Sequence, residues 1–278
     1  MNQTTSPVLP QGAGLGATLR RDLWWLGPAA TAVGLLAFVI YSTWAALQGT
    51  NFWAGPYISP FYSPELFGDG PHAWFGPKPT WWPGALPFSP ALLVLWAPGG
   101  FRLTCYYYRK AYYRSIWLDP VACAVGEARS SFRGENSFPL IWQNIHRYFM
   151  YLAVLFIAFL SYDAVRSYCW ETHANGTPVA GGGHVFGMGL GSLVLTLNPL
   201  FLASYTFGCH SLRHLVGGKK DCFSCTASSR TRYQAWRFVS ALNRHHQLWA
   251  WVSLFMVGFS DIYVRLVAAG TWPDIRFF

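Results

Sequence analysis

Five long apolar runs govern what this chain can become, because about 20 apolar residues in a row are enough to cross a bilayer as one helix. The runs fall at about 24–47, 89–105, 140–166, 185–215 and 245–269. Only 11% of the 278 residues are charged and 53% are hydrophobic, against about 25% charged in a soluble domain. Such a chain cannot cover a soluble surface. The sequence therefore predicts an all-α membrane protein with five transmembrane helices. The first run is longer than a signal-peptide core and reads as a retained helix. Pro98, Gly99 and Gly100 predict a kink in the second.

The charges fix the expected orientation. The net charge is +9, and half of the 20 Lys and Arg residues lie in two segments, 110–140 and 216–244. The second of these holds Lys219, Lys220, Arg230, Arg232 and Arg237. Bases gathered between apolar runs match cytoplasmic loops beside anionic lipid, not a nucleic-acid surface. Residues 1–23 form an N-terminal cytoplasmic tail, rich in Gly, Pro, Ser and Thr to residue 19, and 24–278 the membrane domain. The 48–87 stretch, rich in Trp, Phe, Pro and Gly, is an outer loop, which leaves the C-terminus outside. Cysteines on the cytoplasmic side are expected to stay reduced and open to metal. Cys169 falls in an outer loop and is given no role.

The chain matches itself. With Asn144 on Asn243, His146 falls on His245, Phe156 on Phe255, Ser161 on Ser260 and Arg166 on Arg265. Earlier, Cys105 falls on Cys209 and Arg109 on Arg213, and in the loops Cys123 falls on Cys225. A duplicated hairpin accounts for this, with helices 2–3 and 4–5 as a parallel internal repeat in a four-helix core. Likeness between apolar helices is cheap in Leu and Phe, but not in Cys, His and Asn.

The repeat pairs metal-type donors. Cys105, Cys209, His146 and His245 are expected at similar depth near the inner boundary, one from each helix of the core. Cys123 with Cys225 can stand in for the first cysteine pair. Two thiolates and two imidazoles suit a structural zinc ion or a Rieske-type [2Fe–2S] cluster. The histidines alone would suit a b-type haem. A local alternative is His210 and His214, four apart, with Cys222 and Cys225. Taken singly, each such residue is an ordinary polar anchor or a small filler. Arg109, Lys110, Tyr113, Arg213 and His214 crowd the same face and are candidates for phospholipid headgroups or a quinone pocket. Arg102, inside the apolar span, is a functional candidate by its cost there. A small-solute transporter is a third class, since parallel repeats and broken helices occur there. An expected lack of acidic residues in the spans argues against cation coupling.

The stretches Phe101-Arg-Leu-Thr-Cys-Tyr-Tyr-Tyr-Arg-Lys-Ala-Tyr-Tyr-Arg114, Phe138-Pro-Leu-Ile-Trp-Gln-Asn-Ile-His-Arg147, Cys209-His-Ser-Leu-Arg-His214, Trp249-Ala-Trp251 and Asp261-Ile-Tyr-Val-Arg265 carry a resemblance. Over about residues 20–270 the chain resembles the membrane anchor of actinobacterial succinate dehydrogenase. It is similar to the single large anchor of the mycobacterial enzyme. The resemblance implies a haem-free complex II anchor in the bacterial inner membrane. It implies a flavoprotein and an iron–sulfur subunit as partners, menaquinone or ubiquinone as electron acceptor, and an embedded Rieske-type cluster with two His ligands. On that reading succinate is oxidised elsewhere in the complex.

Overall fold

The structure is a computed structural model that describes residues 14–70, 72–127, 129, 134–138, 140–173, 177–218 and 221–278. The first 13 residues of the expected tail and the bases Lys219 and Lys220 lie outside the described residues.

Among the described residues, four helices are long and apolar enough to cross a membrane. These are α1 (Leu26–Gln48), α5 (His146–Arg166, led in by a 3-10 turn at Leu140–Ile145), α6 (Leu190–Phe207) and α9 (His246–Ala268). The second expected run does not form one such helix. It is divided into α2 (Pro90–Val94), α3 (Trp96–Thr104) and α4 (Tyr106–Tyr112), closed by a π turn at Tyr113–Trp117. The break falls at Leu95, not at Pro98. Proline has no N–H to give the carbonyl four residues back, so the defect appears one turn upstream. Pro199, by contrast, sits within a continuous α6. The fourth run also breaks, after Phe207, and resumes as α7 (His210–Gly217). The stretch expected as a loop before α9 is mostly helix, α8 (Ala227–Arg244), capped by Thr226 Oγ1 accepting from the Ser229 amide at 3.1 Å.

The packing separates into two units, residues 1–39 with 102–145 and residues 40–101 with 146–278. In the first, the Gly16 amide bonds the Gly126 carbonyl at 3.0 Å, and the Gly126 amide bonds the Ala17 carbonyl at 2.7 Å. Trp24 and Leu118 pack on Val121, Ala122 and Val125 beneath that pairing. A second tie joins Gln143 to two tyrosines. Gln143 Oε1 accepts from Tyr113 Oη at 2.8 Å, and Gln143 Nε2 donates to Tyr112 Oη at 2.6 Å.

In the second unit, α6 packs against both α5 and α9. Polar and small residues line its buried side, including Ser192, Asn198 and Thr206, while Ile40 and Val165 are 69% and 67% exposed. That inversion suits lipid, where apolar burial earns nothing and close backbone approach with internal hydrogen bonds holds helices together. Gly100 is one such approach: a Cβ there would sit 2.2 Å from the Phe149 ring.

The segment after α1 is tied to the C-terminal half of α9. Asp261 and Arg265 form a buried ion pair at 2.7 Å. Asp261 also accepts from Tyr41 and Ser59, and Arg265 donates to the carbonyls of Thr50 and Ala45 at 2.9 and 2.8 Å. A short hairpin, β1 (Trp53–Ala54) with β2 (Tyr57–Ile58), presents Tyr57 to Asp274 at 2.7 Å. A second hairpin pairs β3 (Cys169–Trp170) with β4 (Val185–Phe186) before α6. Asp163 in α5 bonds Ser63. Asp163 and Asp261 correct the expectation of spans without acids. Each is matched to a hydroxyl from the 49–70 segment.

Candidate functional site

Cys105 and Cys209 occupy the same kind of place. Each sits at a helix break as the N-cap of the next short helix, with φ/ψ of −63°/131° and −65°/139°. The Cys105 amide bonds the Arg102 carbonyl at 3.2 Å, and the Cys209 amide bonds the Thr206 carbonyl at 3.1 Å. Their own carbonyls accept from the amides of Arg109 at 2.8 Å and Arg213 at 3.1 Å. Both thiols are buried, Cys209 at 1% exposure. Asn243 Nδ2 donates to the Gly208 carbonyl at 2.8 Å and so braces the break beside Cys209.

His146 begins α5, and its Nε2 lies 3.1 Å from Cys209 Sγ. Its ring is stacked on Phe101 at 4.7 Å with 6° between planes. Phe101 meets Tyr205 edge-on at 5.4 Å, and Tyr205 is stacked on His246 at 4.9 Å. Four rings thus run in a row from one histidine to another. His245, the residue singled out from the sequence, is instead the N-cap of α9 with an exposed side chain. His246, which the sequence reading did not single out, is the histidine that ends this row. The offset of 104 that puts Cys105 on Cys209 also puts Phe101 on Tyr205. Matching helix starts puts His146 on His246. Counting from the first turns of α5 and α9, not from their apolar middles, exposes it.

The remaining donors are dispersed or engaged. Cys123 is a free, exposed thiol whose carbonyl accepts from Arg20 at 2.9 Å. Cys225 is joined to Cys222 in a disulfide. That corrects the expectation of reduced thiols there and removes the local set of His210, His214, Cys222 and Cys225 as four open ligands. His210 and His214 still meet, Nε2 to Nε2 at 3.0 Å. Burial lowers the His210 pKa, and the neighbouring His214 and Arg213 charges lower it further.

A Rieske-type cluster takes two thiolates and two imidazoles. Among the described residues no group of three or more His, Cys, Asp or Glu side chains is arranged to hold a metal ion. What is together is one imidazole nitrogen and one buried thiol at a helix N-terminus. The chemistry of that pair fits half of such a donor set.

The basic candidates fall in two separate cavities. Arg109 and Tyr113 line one of 650 Å³ with Tyr106, Lys110 and Glu135. Arg109 Nη1 lies 2.9 Å from Glu135 Oε1, yet Arg109 Nε is buried and, among the described residues, donates to no acceptor. Burial raises the Tyr113 pKa, as does the Glu135 charge, against the Gln143 hydrogen bond and Arg109. Arg213 lines the other cavity, of 610 Å³, between α7 and α8. Arg102, singled out for its depth, donates to Tyr108 Oη at 2.5 Å and lies over the Tyr108 ring.

Comparison with known proteins follows the same line. The family described as actinobacterial succinate dehydrogenase subunit SdhC matches residues 26–270. A chain in the structure titled "Mycobacterium smegmatis Sdh1 complex in the apo form" is 44% identical, with a TM-score of 0.80 and 94% of each chain covered. No curated protein matches.

Proposed function

From the premise that the chain belongs to the actinobacterial succinate dehydrogenase SdhC family, we propose that it is the membrane subunit through which succinate-derived electrons reach a quinone. On this reading it assembles with the flavoprotein and iron–sulfur subunits of the complex in the inner membrane. Its basic ends face the cytoplasm. The likeness to a chain of the Mycobacterium smegmatis Sdh1 complex supports that assembly.

The observation that carries the quinone site is the buried Nε–H of Arg109, unpartnered among the described residues, in a cavity lined by Tyr106 and Tyr113. A quinone carbonyl is the acceptor such a donor lacks. Arg109 would bind and polarise that oxygen, Tyr106 and Tyr113 would flank the ring, and Glu135 would hold the guanidinium. The Tyr113 hydroxyl donates to Gln143, so its part is packing more than donation. Arg213 and His214 do not line this cavity as described, and the quinone reading narrows to Arg109 and Tyr113.

His146 and Cys209 would supply one imidazole and one thiolate to a Rieske-type [2Fe–2S] cluster, which takes two of each. When bound it supplies a one-electron carrier for quinone reduction. The matching caps at Cys105 and Cys209 and the ring row from His146 to His246 support both the repeat and this ligand set. The 3.1 Å approach of His146 to a thiol favours it over a bis-His haem.

The test compares two activities of the assembled complex. Arg109→Gln removes one charge-assisted hydrogen bond, worth about 1.5–3 kcal/mol. Succinate–quinone reductase kcat/KM should fall at least about tenfold, with succinate oxidation by a soluble dye unchanged. Equal quinone reduction by wild type and variant would refute the site.

A further inference from the structure

The cavity between α7 and α8 is lined by Arg213, Arg237 and Arg244, together with Trp236, Ser240 and Asn243. No Asp or Glu lines it. Among the described residues none of the three arginines has a carboxylate partner. The whole of α8 contains no acidic residue. Uncompensated guanidinium groups around one concavity repel one another, so the arrangement favours an anion that bridges them.

The side chains are held, not loose. Arg213 Nε donates to Ser240 Oγ at 3.1 Å, and its guanidinium lies 5.3 Å from the Trp236 ring centre. Arg237 lies over Tyr233 at 5.9 Å. Arg232, on the same helix, shows the contrasting structural use. It donates to the carbonyls of Val216, Leu215 and Gly218 and closes the end of α7. Among the described residues, no backbone carbonyl accepts from the side chains of Arg213, Arg237 or Arg244.

The cavity also sits at the right level for one source of anions. Arg244 precedes the first residue of the apolar helix α9 by two positions. Phe238 lines the cavity yet is 59% exposed, and Leu248 in the first turn of α9 is 53% exposed. Charge at the end of an apolar helix, beside bare apolar side chains, matches a molecule that is a phosphate at one end and hydrocarbon at the other. An acidic protein segment would match the charge but leave Phe238 and Leu248 bare. We infer that this cavity binds the phosphate of an anionic phospholipid, with an acyl chain over Phe238. Arg109 is the repeat mate of Arg213, so two corresponding arginines would then serve different ligands, a quinone and a lipid.

Native mass spectrometry of the full complex tests this. The complex is stripped in neutral detergent and given vesicle lipid, either phosphatidylglycerol with cardiolipin or phosphatidylcholine alone. The wild type should retain an anionic lipid at least tenfold over phosphatidylcholine. Arg237→Gln with Arg244→Gln should lose that preference, while Arg230→Gln, on α8 but outside the cavity, should keep it. The succinate-to-dye activity of each variant confirms assembly, and the wild-type lipid comparison stands even if the double variant does not assemble. Equal retention of both lipids overturns the inference, as does protection of the complex by inorganic phosphate alone to the same degree. Loss of the soluble subunits with lipid retention unchanged overturns it too, and marks the cavity as a protein contact.

Discussion

Cys209 Sγ lies 3.1 Å from His146 Nε2, although 63 residues separate them in sequence. The two meet because α6 breaks at Gly208 and turns the thiol inward where α5 begins. A straight helix through 207–210 would carry that sulfur elsewhere. The break is therefore part of the site, and Asn243 on the Gly208 carbonyl holds it. Asn243→Ala should lower cofactor-dependent quinone reduction with less effect on dye reduction. The split between the two assays is the readout.

The Asp261–Arg265 pair is buried and shared by three segments. Removing one partner of a buried pair strands the other and costs about 3–5 kcal/mol. Asp261→Ala should lower the thermal midpoint of the detergent-purified complex sharply. Asp261→Leu with Arg265→Leu should recover much of that loss, because no bare charge remains. A double variant no better than the single would show that the carbonyls of Thr50 and Ala45 need Arg265 for themselves.

Gly100 faces the Phe149 ring with no room for a methyl group. Gly100→Ala should destabilise by about 1–3 kcal/mol through overpacking. Adding Phe149→Leu should restore part of it. Thermal unfolding of both variants measures the coupling, and strict additivity would place the cost in the backbone, not in the ring.

Glu65, outside the spans, is 1% exposed, and among the described residues its carboxyl oxygens have no well-formed hydrogen bond, the Gly70 amide being their polar neighbour. Burial raises its pKa, with Asp69 adding to the rise and the Gly70 amide opposing it. A carboxyl with a raised folded pKa binds its proton more tightly when folded. Its contribution is thus full at low pH and is lost as pH rises from the ordinary glutamate range through the folded value. Stability of Glu65→Gln relative to wild type should therefore increase across that rise. His72 nearby is lowered by burial and by Arg166 and has the opposite slope, so the variant difference, not the raw curve, is the quantity to measure.

The cysteines should separate by chemistry. Cys123 is exposed and free, Cys105 and Cys209 are buried, and Cys222 with Cys225 are bonded. Maleimide labelling followed by peptide mass spectrometry should mark Cys123 first. Cys222 and Cys225 should label only after reductant, and immediate labelling of Cys222 would contradict the disulfide.

Much of the fold was legible in the sequence because apolar length and charge spacing are strong signals. Helices α1, α5 and α9 lie within two residues of the apolar runs, counting the turn before α5. What was not legible depends on single residues. The position of the second-run break follows from the hydrogen bond Pro98 cannot make. Helix α8 was hidden by its polarity, although Thr226 as a cap and Tyr233, Trp236 and Val239 at helical spacing were signals for it. The cysteine and histidine candidates were legible as rare residues that recur. That His246 and not His245 ends the ring row depends on where α9 starts, and helix starts are what periodicity locates least well.

The most direct measurement is the electron paramagnetic resonance spectrum of the reduced full complex, wild type beside Cys209→Ser and His146→Ala. The account predicts a Rieske-type signal in the wild type that both variants lose, while the signals of the soluble iron–sulfur subunit persist. Spectra identical in all three proteins would contradict it.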